Sequence, residues 1–182
     1  MSVWDRIFAT GYDRVMSGPE KATLRTHREA LIPQAKGCVL EIGGGTGANL
    51  PFYDGVETLT LTEPDKPMVH RLERRLQERS PGALLLRAPA EDLPFEDNSF
   101  DVAVSTLVLC TVDDQRLARW QDRLNGLQTR VGHGCNCNRP TIDTITAAGF
   151  EITQLDRDVL RKAPPIVRPL AVGVAQTNGH PA

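Results

Sequence analysis

Residues 41–47 read Glu41-Ile-Gly43-Gly44-Gly45-Thr46-Gly47, an acid followed by a run of almost bare backbone. Glycine lets a chain turn sharply and lets a ligand approach the main chain closely, because no Cβ stands in the way. The N–H groups of such a loop, and of a helix that it opens, suit a carboxylate or a phosphate. A second acid, Glu63, follows Gly43 by about 20 residues, a place from which a carboxylate can accept both hydroxyls of a ribose. Gly43-x-Gly45-x-x-Ala48 also fits the dinucleotide fingerprint in its loosest form. Two features argue against a pyrophosphate ligand. Glu41 would repel one, yet suits an ammonium group. The stretch Ala90-Glu91-Asp-Leu-Pro-Phe-Glu-Asp-Asn-Ser-Phe-Asp101 follows a third apolar run and would close over an adenine edge.

The elements that must hold these residues follow from hydrophobic period. Cys38 to Ile42 and Thr58 to Thr62 read as short strands at the head of each acid-bearing turn. Ala83 to Arg87 is a third strand. The largely apolar Asp101–Leu109 is a fourth, expected to be buried on both faces. A short helix is expected from about Ala48. Pro67–Arg79 carries Met68, Val69, Leu72 and Leu76 on one face and arginines on the other, which predicts an amphipathic helix with a solvated arginine face. Strands alternating with helices imply a doubly wound parallel α/β sheet, with ligands at the carboxyl ends of its strands. Upstream, Trp4 to Val15 has helical spacing, Ser17-Gly-Pro19 is expected to break it, and Lys21–Leu31 forms a second helix. Downstream, Asp114–Arg130 and Thr141–Ala148 read as helices, and Glu151–Val159 and Leu170–Ala175 as strands.

Three motifs in order, from about Val39 to Val112, resemble the class I S-adenosylmethionine-dependent methyltransferases of the type 11 group. They are the acid–glycine loop, the acid after the second strand, and the Glu91-x-Leu-Pro-Phe…Asn98-Ser-Phe-Asp101 loop. Gly134-Cys-Asn136, Ala148-Gly-Phe150, Ala163-Pro and Arg168-Pro further resemble the methyltransferase-like branch that includes animal thiol methyltransferases. The resemblance implies S-adenosylmethionine as cofactor, S-adenosylhomocysteine as product, and a small-molecule acceptor: a thiol, a quinone-like ring or a lipid-like amine. It also implies site residues. Glu41 would meet the methionine amino group, and Gly43, Gly44, Gly45, Thr46 and Gly47 would line the methionine part. Glu63, with Pro64 beside it, would hold the ribose, and Met68 would lie near the adenine. Ala90 and Glu91 would face the adenine edge, though Pro89 stands where family members often carry an acid. Ser105 and Thr106 would lie near the sulfonium. Tyr12 and Asp13 match a Tyr-Asp pair found in the N-terminal lid of such enzymes. No catalytic base is implied, because the cofactor carries the reactive group and a thiolate acceptor needs little help.

The chain departs from this pattern after the fourth strand. The family follows it with a helix, a Pro-Gly-Gly turn and a fifth strand, whereas here Thr111-Val-Asp-Asp runs straight into Gln115-Arg-Leu-Ala-Arg-Trp120. A crossover to a parallel strand takes a dozen or more residues. The expectation is therefore a reduced sheet, in the order 3-2-1-4, followed by a terminal antiparallel hairpin. The exposed fourth strand could pair with that hairpin or with a second copy of the chain in a homodimer.

Composition agrees with an enzyme-like domain. The chain has 182 residues, 40% of them apolar and 24% charged, which suits a single globular domain. Within it, residues 1–35 are expected to form a helical lid, 36–112 the cofactor half and 113–182 a shortened C-terminal half. A net charge of −2 excludes a broad nucleic-acid surface. No apolar run reaches the ~20 residues that cross a bilayer, and the N-terminus shows no secretory pattern, so a cytoplasmic protein is expected. Cys38 and Cys110 read as small buried hydrophobes. His133-x-Cys135-x-Cys137 lacks the second ligand pair of a structural zinc site, so no metal is expected. Two rivals remain: a protein that binds the cofactor without methylating, impaired by the missing segment, and a nicotinamide-dependent oxidoreductase, which leaves Glu41 and the Leu-Pro-Phe loop without a purpose.

Overall fold

The computed structural model describes residues 11, 13–80, 82–108 and 141–177, the Ile166 side chain excepted. Contacts divide the chain into two compact units, Met1–Val108 and Leu109–Ala182.

The first unit is built on four parallel strands: β1 (Gly37–Ile42), β2 (Val56–Thr62), β3 (Leu84–Leu86) and β4 (Val102–Ser105). Their order is β3-β2-β1-β4, as the sequence pattern predicts. The order reverses between β1, which starts the sheet, and β4, and this places a ligand crevice at their carboxyl ends. Register is continuous from Cys38↔Thr58 to Ile42↔Thr62 on one side of β1 and from Val39↔Val102 to Ile42↔Ser105 on the other. Asp101 fixes the second pairing: its Oδ2 accepts the Cys38 N–H at 2.7 Å, and its own N–H reaches the Cys38 carbonyl at 2.9 Å.

The apolar core lies on one face of the sheet. Val39, Leu59 and Leu61 meet Leu72 and Leu76, with Leu50 and Ala35 closing the cluster. Arg25–Leu31 forms α1, and Leu72 and Leu76 belong to α2 (Lys66–Arg79). Met68, Val69, Leu72 and Leu76 are the buried stripe of α2, at the helical spacing seen in sequence. Asp65 caps α2 by accepting the Met68 N–H at 3.1 Å, and Pro67 sits in the first turn, where its missing N–H costs nothing.

Four expectations are corrected. The glycine run opens no α-helix after Ala48; a 3₁₀ turn, Leu50–Phe52, follows instead, with Pro51 near its start. Ser17-Gly-Pro19 does not end the first helix. Helical backbone covers 13–19 and passes into a π-helical turn, Glu20–Leu24, and then α1. Pro19 keeps helical dihedrals, φ −56° and ψ −41°, and the wider π turn follows directly after it. β4 is not buried on both faces: its four residues alternate between half-buried and exposed. Among the described residues it pairs with β1 alone. Cys38 is half-buried rather than enclosed.

In the second unit, α3 (Thr141–Ala147) precedes β5 (Phe150–Val159) and β6 (Pro169–Thr177). The two strands form a separate antiparallel sheet running from Phe150↔Thr177 to Val159↔Pro169. Its turn is closed by the Leu160 N–H donating to the Arg168 carbonyl at 2.7 Å and by Arg168 Nε donating to the Ala163 carbonyl at 2.9 Å. The expected Asp114–Arg130 helix, the His133–Cys137 stretch, Cys110 and Tyr12 lie outside the described residues. No helix among the described residues is long and apolar enough to cross a membrane.

Candidate functional site

A cavity of about 380 Å³ opens at the carboxyl end of β1. Its floor is Glu41 and the Gly43–Thr46 backbone, and its roof is the helical segment that carries Asp13, Met16 and Glu20. Thr106 and Leu107, just past β4, form one wall. Leu107 adopts φ 61°, uncommon for a residue with a side chain.

The loop's shape follows from its glycines. Gly43, Gly45 and Gly47 all take positive φ, at 66°, 55° and 82°. Below the loop, α2 packs so closely that a Cβ on Gly47 would stand 2.9 Å from Leu72 Cδ1 and 2.8 Å from Leu50 Cδ1. At Gly45, by contrast, only the Gly43 carbonyl oxygen comes within reach, at 4.0 Å, and the residue faces the cavity. The backbone is therefore supported from beneath and open above.

Glu41 is 2% exposed, the penultimate residue of β1 before the loop. Its two oxygens accept from Asn49 Nδ2 and from the Tyr53 hydroxyl, both at 2.9 Å. Burial raises the carboxyl to about 7, against the downward pull of those two hydrogen bonds and of the Arg28 charge. The Tyr53 hydroxyl is held far above its ordinary value by burial and by Glu41 beside it. Asn49 links this pair outward. Its Nδ2 also reaches Thr106 Oγ1 at 3.0 Å, and its Oδ1 accepts from Arg28 Nη1. Arg28, itself 7% exposed, donates through Nε to Glu20 at 3.1 Å. A buried acid that can ionise near neutrality, facing a cavity, can neutralise a cation there.

Glu63 lies at the end of β2, 7% exposed. One oxygen accepts the Gly45 N–H at 2.8 Å and the other the Asp65 N–H at 3.0 Å. Burial raises its carboxyl, while those two N–H groups pull it down. Each oxygen keeps lone-pair capacity for a hydroxyl donor. Glu63 thus ties the second acid to the middle of the glycine loop, a contact that the sequence does not announce.

The other residues singled out from the sequence divide. Thr46 is 3% exposed and bonded through its hydroxyl to Asp13 Oδ1 at 2.7 Å. Thr106 faces the cavity; Ser105 is exposed and does not line it. Met68 is buried in the α2 stripe. Pro64, Ala90 and Glu91 are exposed outside the cavity lining, and the Pro64 carbonyl accepts from Arg87 Nε at 3.0 Å. Sequence reasoning missed Arg28, Asn49, Tyr53 and Arg75. The expectation of a solvated arginine face on α2 is corrected, because Arg75 turns back to the loop. Its Nη1 donates to the Thr46 carbonyl at 2.6 Å and its Nη2 to Asp13 at 2.7 Å. Among the described residues, no cluster of histidine, cysteine and acid side chains could hold a metal ion.

A family model described as a methyltransferase domain matches residues 40–121. Human thiol S-methyltransferase TMT1B is 26% identical over 199 aligned positions, covering 87% of this chain and 80% of that protein. The phosphatidylethanolamine N-methyltransferase of Cereibacter sphaeroides is 27% identical over 110 positions, 59% of this chain and 52% of that protein. A solved S-adenosylmethionine-dependent methyltransferase from Thermotoga maritima shares the fold with a TM-score of 0.59 at 20% identity, covering 96% of this chain and 93% of that one. The TMT1B alignment is longer than the present chain, 199 positions against 182 residues, so the human protein carries residues that this chain lacks. The span covered by the family match holds the glycine loop, Glu63 and the Leu-Pro-Phe loop, and over that span the chain resembles the S-adenosylmethionine-dependent methyltransferases.

Proposed function

We propose that the cavity takes the methionine end of S-adenosylmethionine and that the acceptor is the thiol of a small molecule. The observation that carries the reading is the open backbone at Gly45 between two buried glutamates, Glu41 and Glu63. The donor set fits the cofactor. Glu41 offers negative charge to an ammonium group, the Gly43–Gly47 backbone lines the methionine chain, and Glu63 receives the ribose hydroxyls. Pro64 and Met68 flank the nucleoside, and Ala90 and Glu91 stand on the adenine side. Ser105 and Thr106 border the place of transfer, and Tyr12 and Asp13 belong to the lid.

The cofactor, when bound, supplies an electrophilic methyl group on a sulfonium. The chain's own residues hold and align the reactants, and alignment alone is worth ~7–11 kcal/mol of barrier. A thiol suits this site because it ionises near pH 8.5 and needs no strong base. Lys21, Arg25 and Arg28 line the cavity, and their positive charge favours the thiolate. The likeness to human thiol S-methyltransferase TMT1B supports the same choice. The likeness to a phosphatidylethanolamine N-methyltransferase keeps lipid-like amines as the rival acceptors, with quinone-like rings beside them.

A second reading, binding without turnover, is favoured by one observation: β4 has no outer neighbour among the described residues, where the family pattern continues the sheet. Labelled S-adenosylmethionine incubated with small thiols, quinols and amines separates these readings. The expected result is label on a thiol, with thermal stabilisation of the protein by S-adenosylhomocysteine. Stabilisation with no label on any acceptor establishes the second reading, and no stabilisation overturns both.

A further inference from the structure

Asp13, Thr46 and Arg75 close a ring of hydrogen bonds across three separate elements. Arg75, on α2, donates through Nη1 to the Thr46 carbonyl at 2.6 Å and to its Oγ1 at 3.2 Å. It donates through Nη2 to Asp13 Oδ2 at 2.7 Å. The Thr46 hydroxyl in turn donates to Asp13 Oδ1 at 2.7 Å. Arg71, one turn earlier on α2, adds a second guanidinium 3.8 Å from Asp13. The planar guanidinium fork is what allows one side chain to hold both partners at once; an ammonium on a single stem has no such fixed geometry.

The placement gives this ring more than a packing role. Thr46 sits between Gly45 and Gly47, both at positive φ, so it is the one residue of that stretch with a side chain to grip. Asp13 belongs to the helical segment that roofs the cavity, and all three residues line it. Breaking the ring removes the direct tie from Asp13 in the roof to Thr46 in the floor.

We infer that Arg75 is a positioning residue: it latches the Asp13 segment onto the glycine loop and so sets how fast the cofactor leaves. The inference rests on reading this cavity as the cofactor site. An exposed ion pair contributes little stability. Here Asp13 and Arg75 keep 38% of their side-chain surfaces. The effect therefore belongs in ligand kinetics rather than in folding.

The test uses Arg75→Met, which keeps the apolar stem, Arg75→Lys, which keeps the charge without the fork, Asp13→Asn, and the Asp13→Asn/Arg75→Met double variant. S-adenosylhomocysteine dissociation is followed by stopped flow, turnover is measured at saturating cofactor, and ligand-free unfolding midpoints are recorded. The expected outcome is roughly tenfold faster release and a raised KM for the cofactor in Arg75→Met and in Asp13→Asn, with kcat and the ligand-free midpoint little changed. The double variant should be no worse than the worse single, as residues acting in one network behave. Arg75→Lys should recover only part of the loss. Parent-like release in Arg75→Met, or additive losses in the double variant, overturns the latch while leaving the cofactor site in place. Failure of the parent protein to bind S-adenosylhomocysteine overturns both. If Arg75→Met fails to fold, Arg75→Lys and Asp13→Asn carry the same kinetic comparison.

Discussion

Glu41 holds a carboxyl in almost complete exclusion from water, with Asn49 and Tyr53 as its immediate partners. Burial penalises the charged form, so in the ligand-free protein this group gives up its proton only at about pH 7. The sign of the consequence is fixed by linkage. A group whose folded pKa lies above its unfolded one stabilises the fold fully at low pH, and that contribution is lost as pH rises through the folded value. Replacing Glu41 by Gln removes this dependence. The unfolding midpoint of Glu41→Gln relative to the parent should therefore climb between pH 5 and pH 8. Ligand binding has the opposite sense. An ammonium group against Glu41 favours the ionised acid, so affinity for S-adenosylhomocysteine should strengthen about tenfold from pH 6 to pH 8 and stay flat in Glu41→Gln. Calorimetry across that range checks it, and a flat parent profile removes Glu41 from the ammonium subsite.

At the scale of elements, the glycine loop is a floor that α2 supports from below. The two ends of the loop should therefore respond differently to one added methyl. At Gly47, φ 82° disfavours any side chain, and the new Cβ meets Leu50 and Leu72 at under 3.0 Å. Strain and overpacking together predict a loss of about 2–4 kcal/mol in Gly47→Ala. At Gly45 the Cβ enters open space on the ligand side, so Gly45→Ala should lose only about 1 kcal/mol from its φ yet bind S-adenosylhomocysteine far more weakly. Chemical denaturation and calorimetry on the pair decide this, and equal stability losses would contradict the proposed division between floor and opening. The same elements show what a linear pattern can carry. Strand order, the α2 stripe and both acids were legible because each depends on local period or on a motif at fixed spacing. Arg75 was not. Its partners lie 29 and 62 residues away in sequence, and an arginine at an exposed helical spacing looks the same whether it meets water or a loop. The helix expected after Ala48 failed for a related reason. Gly47 is held in a left-handed turn and Pro51 enters a 3₁₀ turn, so the local chain completes only that short turn before β2.

Across the whole molecule, the candidate cofactor residues and the latch belong to the first compact unit, while the β5–β6 hairpin belongs to the second. The sheet of the first unit ends at β4 among the described residues, and its glycine loop takes its shape from β1, β2 and α2. The hairpin can be perturbed by itself through Gly173, which pairs with Leu155 in the antiparallel register. A Cβ there collides with the Gln154 carbonyl of the facing strand, a backbone atom that cannot swing aside. Gly173→Val should open the ladder and cost about 1–3 kcal/mol by overpacking. Hydrogen exchange should quicken along residues 150–159 and 169–177, with affinity for S-adenosylhomocysteine held within about twofold. A parallel fall in affinity would mean that the hairpin helps to shape the cofactor site, and the assignment of that site to the first unit would then have to be abandoned. A fall in methyl transfer alone, at unchanged affinity, would place the acceptor side of the reaction in the second unit.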